Sequence, residues 1–375
     1  MTRTGSKSSS CKAFPGEFPS AAFSLRAGGA LALAALLLAR GGAGADEGRI
    51  EVRLDGSEAA AVLGIAERNA SGHPPSGEDW NSLFEGEPYL RLKEREGAFQ
   101  APFSDDDFTT FVLSKDVAQK APELRHALEE WKRVDVRACA ERALQYLPEG
   151  ARIQAKVFLL VKPHENSFVY GGPSDPTIFL SVKPGVSRAR FENTVIHEMH
   201  HIGLDSVSGR EDGESLPGNL KPIVSWMEAF GEGFAMLAAA GGPDVHPNAH
   251  STPVDRARWD RDMARFPEDQ GALNQFFLDI LHGTLTGDEI KKKAASFFGV
   301  QGPWYTVGYK MAVVIEKRWG RPRLVAGMVD PHALLKAYNE AAQESTPPLP
   351  LWSEELIAAL RAPEPAVDPE APPTD

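Results

Sequence analysis

Cysteine is almost missing: the 375-residue chain has two, Cys11 and Cys139. Cys11 falls in a segment that reads as a cleaved leader, so Cys139 is left alone and no internal disulfide is expected. Stability must then come from core burial, with help from a metal if one is bound. The 42% apolar composition is enough for that. Cys139 lies on a helical apolar stripe with Val136, Ala140, Ala143 and Leu144, where an inert buried thiol is expected. Positive charge is also short, with 40 Lys and Arg against 52 Asp and Glu, a net of −12. An acidic surface repels phosphate backbones and anionic lipid, which argues against nucleic-acid and membrane-surface partners. The main apolar run, Ala27–Ala39, is about 13 residues, well under the roughly 20 that a membrane-spanning helix needs. There is no phosphate-cradling glycine loop, no Gly-x-Ser-x-Gly nucleophile elbow and no internal repeat.

What is present begins with Arg3, Lys7, Lys12 and Arg26 ahead of that apolar run, and Ala43-Gly44-Ala45 before Asp46. A basic region, an apolar region and small residues at a cleavage point make residues 1–45 a secretory signal, and the mature protein secreted or periplasmic. The alternative is an uncleaved anchor, because the basic region is long. Losing five basic and one acidic side chain with the leader would leave a net charge of −16.

Periodicity then predicts an α+β protein, mostly helical. A short strand, Arg49–Leu54, opens a helical region over 46–150, with helices at Ser57–Arg68, from Trp80, after Asp105–Asp107, and at Glu123–Val134 and Val136–Leu147. His73 and His126 there lack an acidic or histidine partner at ligand spacing and read as surface residues. Ile153–Val161 and Thr177–Val182 are β-branched and aromatic runs separated by the turn Tyr170-Gly171-Gly172-Pro173, and predict a small sheet. The second of these strands either offers a free edge to an extended peptide or merely closes the sheet. A helix capped by Ser187 follows, then a polar connection, Gly203–Leu220, and one long helix, Ile223–Ala240. Further helices are expected at Val254–Arg265, Asp269–His282, Gly287–Phe298, Trp304–Trp319, Arg321–Val329, Pro331–Ala342 and Glu354–Arg361. Residues 151–345 thus hold the chemistry, and 346–375 a short helix and a Pro- and acid-rich tail without fixed structure. Lys291-Lys292-Lys293 is a solvated helix face.

The chemistry is written in Glu192–Leu204, where His197, Glu198 and His201 stand in the order His-Glu-x-x-His. Positions i and i+4 share a helix face, so His197 and His201 can offer two imidazole nitrogens to one metal ion, with Glu198 close enough to take a proton from water there. Val195, Met199 and Ile202 form the opposite, core-facing stripe. The bland alternative is two surface histidines on an amphipathic helix. Downstream, Glu228 and Glu232 lie in the apolar stretch IVSWMEAFGEGFAMLAAA. A buried carboxylate needs a partner, and a metal or an arginine would serve. Gly231 and Gly233 would let this helix approach the His197 helix closely.

The His197–His201 motif followed by Gly231-Glu232-Gly233-Phe234-Ala235 resembles the gluzincin class of zinc metallopeptidases. In the aminopeptidase N family the third zinc ligand lies in an Asn-Glu-Gly-Phe-Ala sequence, which implies Glu232 as ligand here. That family's catalytic tyrosine opens a Tyr-x-x-Gly segment, which implies Tyr305 (Tyr305-Thr306-Val307-Gly308), with Tyr309 as the reserve. The wider pattern resembles a family of exported bacterial proteins described as zinc-dependent peptidases of unknown function. It is carried by Trp80, Leu83, Phe84 and Tyr89 and by Gly308, Tyr309, Met311 and Ala312, and covers roughly residues 50–340. Val207 stands where metzincins place a third histidine, which excludes that class. No Gly-x-Met-Glu-Asn segment precedes the motif, so the resemblance favours an endopeptidase over an aminopeptidase. A thermolysin-like arrangement would instead make Glu228 the ligand and Glu232 its support; the Glu-Gly-Phe-Ala context favours Glu232.

What the resemblance implies is hydrolysis of a peptide or protein substrate at one zinc ion. Glu198 would be the general base and Tyr305 the oxyanion partner. Two other classes stay open: a non-catalytic exported binding protein with the same zinc pocket, and a zinc hydrolase of a non-protein amide or ester. The intact Glu198 argues against the first, since a zinc scaffold has no need of a base.

Overall fold

Period-two patterning yields one small sheet, and nearly everything else coils into helices. The computed structural model describes residues 48–99, 101–172, 174–208 and 216–361. The expected leader and acidic tail lie outside the described residues. The chain runs β1 (Ile50–Asp55), α1 (Ser57–Ala70), α2 (Gly77–Phe84), α3 (Glu87–Ala98), α4 (Asp105–Val112), α5 (Lys115–Trp131) and α6 (Val136–Leu144). Next come β2 (Ile153–Leu160), β3 (Phe168–Tyr170), β4 (Thr177–Ser181) and α7 (Arg188–Asp205). The rest is α8 (Leu220–Met227), α9 (Gly231–Ala240), α10 (Pro253–Ala264), α11 (Phe266–Leu281), α12 (Gly287–Ser296), α13 (Pro303–Trp319), α14 (Arg321–Gly327), α15 (Pro331–Gln343) and α16 (Glu354–Ala359). The protein is α+β and mostly helical.

Strand order is β1-β2-β4-β3, with β1 and β4 parallel to β2 and β3 antiparallel to β4. Every residue of β4 is buried, so a free edge at Thr177–Val182 is ruled out. The chain turns back before it, and Phe168–Tyr170 takes that edge in the register Phe168↔Phe179 to Tyr170↔Thr177. Phe168 stacks on Phe179 at 5.0 Å, which holds the three-residue strand in place. Composition had marked this stretch only as the start of a turn.

Local chemistry sets the helix ends. Capping boxes at Ser76/Asp79 and Ser104/Asp107 start α2 and α4, the first of them ahead of the expected start at Trp80. Ser114 caps α5, which runs through Pro122 instead of beginning after it. Ser187 caps α7 as its position implied. This helix passes through Gly203 instead of breaking there. A Cβ on Gly203 would lie 2.2 Å from Leu147 Cδ1, so the glycine serves close packing.

Apolar side chains gather into two cores. One joins α1–α6, the sheet and the buried face of α7; the other joins α8–α16. The helices α7, α9 and α13 pack in series across their junction. Among the described residues no helix is long and apolar enough to cross a membrane.

Candidate metal centre

His197 and His201 project from α7 one turn apart, and both keep part of their surface open, at 15% and 25% side-chain exposure. Opposite them, the first turn of α9 delivers Glu232, whose side chain is 8% exposed. Its Oε2 lies 3.2 Å from His197 Nε2 and 3.4 Å from His201 Nε2, and the two nitrogens are 3.1 Å apart. Donors held at 2.0–2.1 Å around a tetrahedral zinc ion stand roughly 3.3 Å from each other. The three atoms therefore outline one face of such a coordination sphere, and two imidazoles with a carboxylate are a donor set that suits zinc.

Glu228 is exposed and stands apart from this group. The expected single helix is broken: a 3-10 turn, Glu228–Phe230, separates α8 from α9. Three residues wound at 3.0 per turn instead of 3.6 add roughly 60° of rotation, so the two glutamates no longer share a face. The glycines act differently from expectation too. Gly231 faces His201 and Leu204 at ordinary contact distance, whereas a Cβ on Gly233 would lie 2.0 Å from Tyr309 N on α13. Gly308 answers from the other side, where a Cβ would meet Phe230 O at 2.6 Å. The tight approach is thus between α9 and α13, not α9 and α7.

That approach decides where the tyrosines go. Tyr305, one turn before Gly308, is buried, and its hydroxyl interacts with the Glu232 carboxylate and feels Glu198. Burial first, and these acids next, push the phenol well above its usual pKa, so it stays a proton donor. Tyr309 donates instead to Val245 O at 3.2 Å and packs edge-on against Trp259 at 5.2 Å. Its hydroxyl is committed elsewhere.

Electrostatically the cluster is tightly coupled. Burial would raise the Glu232 carboxyl, but the two imidazoles outweigh it and hold it below the ordinary range. Burial would lower His201, yet the Glu232 charge and hydrogen bond, with Glu198 and Asp205, hold it up at about 9. Glu198, beside the cluster with some solvent access, is raised mainly by burial, against the pull of both imidazoles. His200 points away: its Nε2 meets Tyr146 O at 3.2 Å, and burial, then the neighbouring imidazoles, push it down to about 3. Sequence reading passed over Asp205, whose only signal was an acid one helical turn beyond His201.

His197, His201 and Glu232 form a group that could hold a divalent ion, with a second glutamate, Glu198, beside it. Residues 80–346, over two thirds of the chain, match the model of the family described as "Putative zinc dependent peptidase (DUF5700)", and the chain belongs to that family. Neither a curated protein nor a solved structure matches it.

Proposed function

We propose that the protein is an exported zinc metallopeptidase of gluzincin type that cuts within peptide chains. The observation that carries this reading is the convergence of His197, His201 and Glu232 on one point, with Glu198 alongside, in a zinc-peptidase family member. His197, His201 and Glu232 would hold one zinc ion. When bound, the ion supplies a Lewis acid and brings the pKa of its water from about 16 to near 7. Glu198 accepts the proton from the attacking water and returns it to the leaving nitrogen. Its raised pKa suits both halves of that task. The Tyr305 hydroxyl, kept protonated by its neighbours, donates to the oxygen that gains charge as the carbonyl is attacked. The missing Gly-x-Met-Glu-Asn segment favours internal bonds over amino-terminal trimming.

The test is a mixed peptide library incubated with the zinc-loaded full chain. Cleavage should appear, stop on chelation and return with zinc. Glu198→Gln should keep its zinc and lose at least about a hundredfold in rate. Undiminished turnover in that variant, or cleavage indifferent to chelator, would refute the reading.

A further inference from the structure

Thr194 and Arg190 stand three and seven residues before His197 on α7. At 100° per residue, all four of Arg190, Thr194, His197 and His201 lie within roughly 60° of one another around the helix. The ligand-bearing face therefore continues toward the helix start, and there it meets a cavity of about 120 Å³. That volume holds roughly four waters, or one side chain ending in a carboxylate. Trp131 stacked on Phe191 at 4.3 Å lines it with aromatic surface. Around this the cavity has the hydroxyls of Ser167, Ser181 and Thr194 and the cations Lys183 and Arg190. Arg190 pairs with Asp255 at 3.2 Å, but that carboxylate also serves Arg258 at 2.9 Å. Lys183, on the loop after β4, has no ion-pair partner among the described residues. The cavity thus keeps an excess of positive charge in a chain whose net charge is −12. A cationic recess beside low-dielectric walls concentrates anions, and the acidic surface around it sharpens the contrast.

We infer that this cavity is a substrate subsite for a carboxylate, so that the enzyme selects peptides carrying an acidic side chain or a free C-terminus near the bond it cuts. The inference rests on the peptidase reading and specifies its substrate class. Thr194 and Arg190 lie about 4.5 and 10 Å along the helix axis from His197. At roughly 3.3 Å per extended residue, the carboxylate belongs one to three residues from the scissile bond. Lys183 and Arg190 pair with it, and the Ser167 and Ser181 hydroxyls donate to its remaining lone pairs, the Thr194 hydroxyl being committed to Arg190 O at 3.1 Å.

The test measures binding apart from turnover. Zinc-loaded full-length Glu198→Gln is titrated with one peptide series carrying Glu, Gln or Lys at a single position, each with a free or amidated C-terminus. The same protein is then titrated with Lys183→Gln or Lys183→Glu added. A carboxylate peptide should bind at least tenfold tighter than its Gln or amidated counterpart. Lys183→Gln should remove that margin, Lys183→Glu should reverse it toward Lys, and added salt should shrink it. Selectivity from the Glu/Gln pair identifies a side-chain subsite; selectivity from the free/amidated pair identifies a C-terminal one. Equal affinity across the series, or a margin unmoved by both Lys183 variants, overturns the inference. Library cleavage by the unmutated protein is scored separately, so silence there with selective binding would count against peptide hydrolysis alone.

Discussion

The core built around the sheet supplies both imidazoles and Glu198 from little more than one turn of α7, whereas the helical core supplies Glu232 and Tyr305 from two separate helices. On the first side the geometry is local: backbone periodicity alone stacks His197 over His201. On the second it depends on two helices touching backbone to backbone at Gly233 and Gly308. A site assembled in this way is exposed to changes in packing that leave its own side chains intact.

The largest effect should therefore come from filling that contact. Gly233→Val would drive a Cβ to within 2.0 Å of Tyr309 N, and should cost at least about 3 kcal/mol and lower zinc affinity with it. Gly231→Ala, with 3.9 Å of room, should stay within about 1 kcal/mol of the parent. Chemical denaturation and zinc titration of both variants measure the contrast. If the two proved alike, the helix junction would not set the site.

Next in size is the tyrosine pair. Tyr305→Phe should lower kcat about a hundredfold without loss of zinc, the usual effect of removing one oxyanion donor. Tyr309→Phe, whose hydroxyl is occupied by Val245 O, should change kcat little. Equal losses would place the oxyanion partner elsewhere.

A smaller effect is expected in the zinc-free protein as pH varies. The Glu232 carboxyl is depressed in the fold, so its contribution is complete above about pH 4.5 and fades as pH falls through the depressed value. His201 is raised to about 9, so its contribution is complete below about pH 6.5 and fades as pH climbs toward 9. Metal-free stability should thus peak between these limits and decline on both sides, as thermal melts across a pH series would report. With zinc bound the alkaline decline should be replaced by stabilisation, because ligand imidazoles are neutral. A flat profile would mean that the two charges do not interact.

The same division explains how much was readable beforehand. The α7 helix, its Ser187 cap and its core stripe followed from spacing and local chemistry, and the structure agrees; the same spacing put His197 and His201 on one face, where their ring nitrogens meet. Glu232 was marked by a carboxylate in an apolar run, but Glu228 carried the same mark. What separates them is a 3-10 turn at Glu228–Phe230, which no periodicity announces. Gly233 read as a route toward α7 because its true partner, Gly308, lies far along the chain. The edge strand Phe168–Tyr170 escaped notice because three residues are too few to show alternation. It exists through pairing with β4, not through its own propensity.

Zinc titration of the parent, Glu232→Gln and Glu228→Gln proteins, with X-ray absorption at the metal edge, tests the central claim most directly. One zinc per chain, bound through two imidazole nitrogens and a carboxylate oxygen, is predicted, with affinity lost by at least tenfold in Glu232→Gln and unchanged in Glu228→Gln. Full affinity and an unaltered ligand shell in Glu232→Gln, or loss in Glu228→Gln instead, would contradict it.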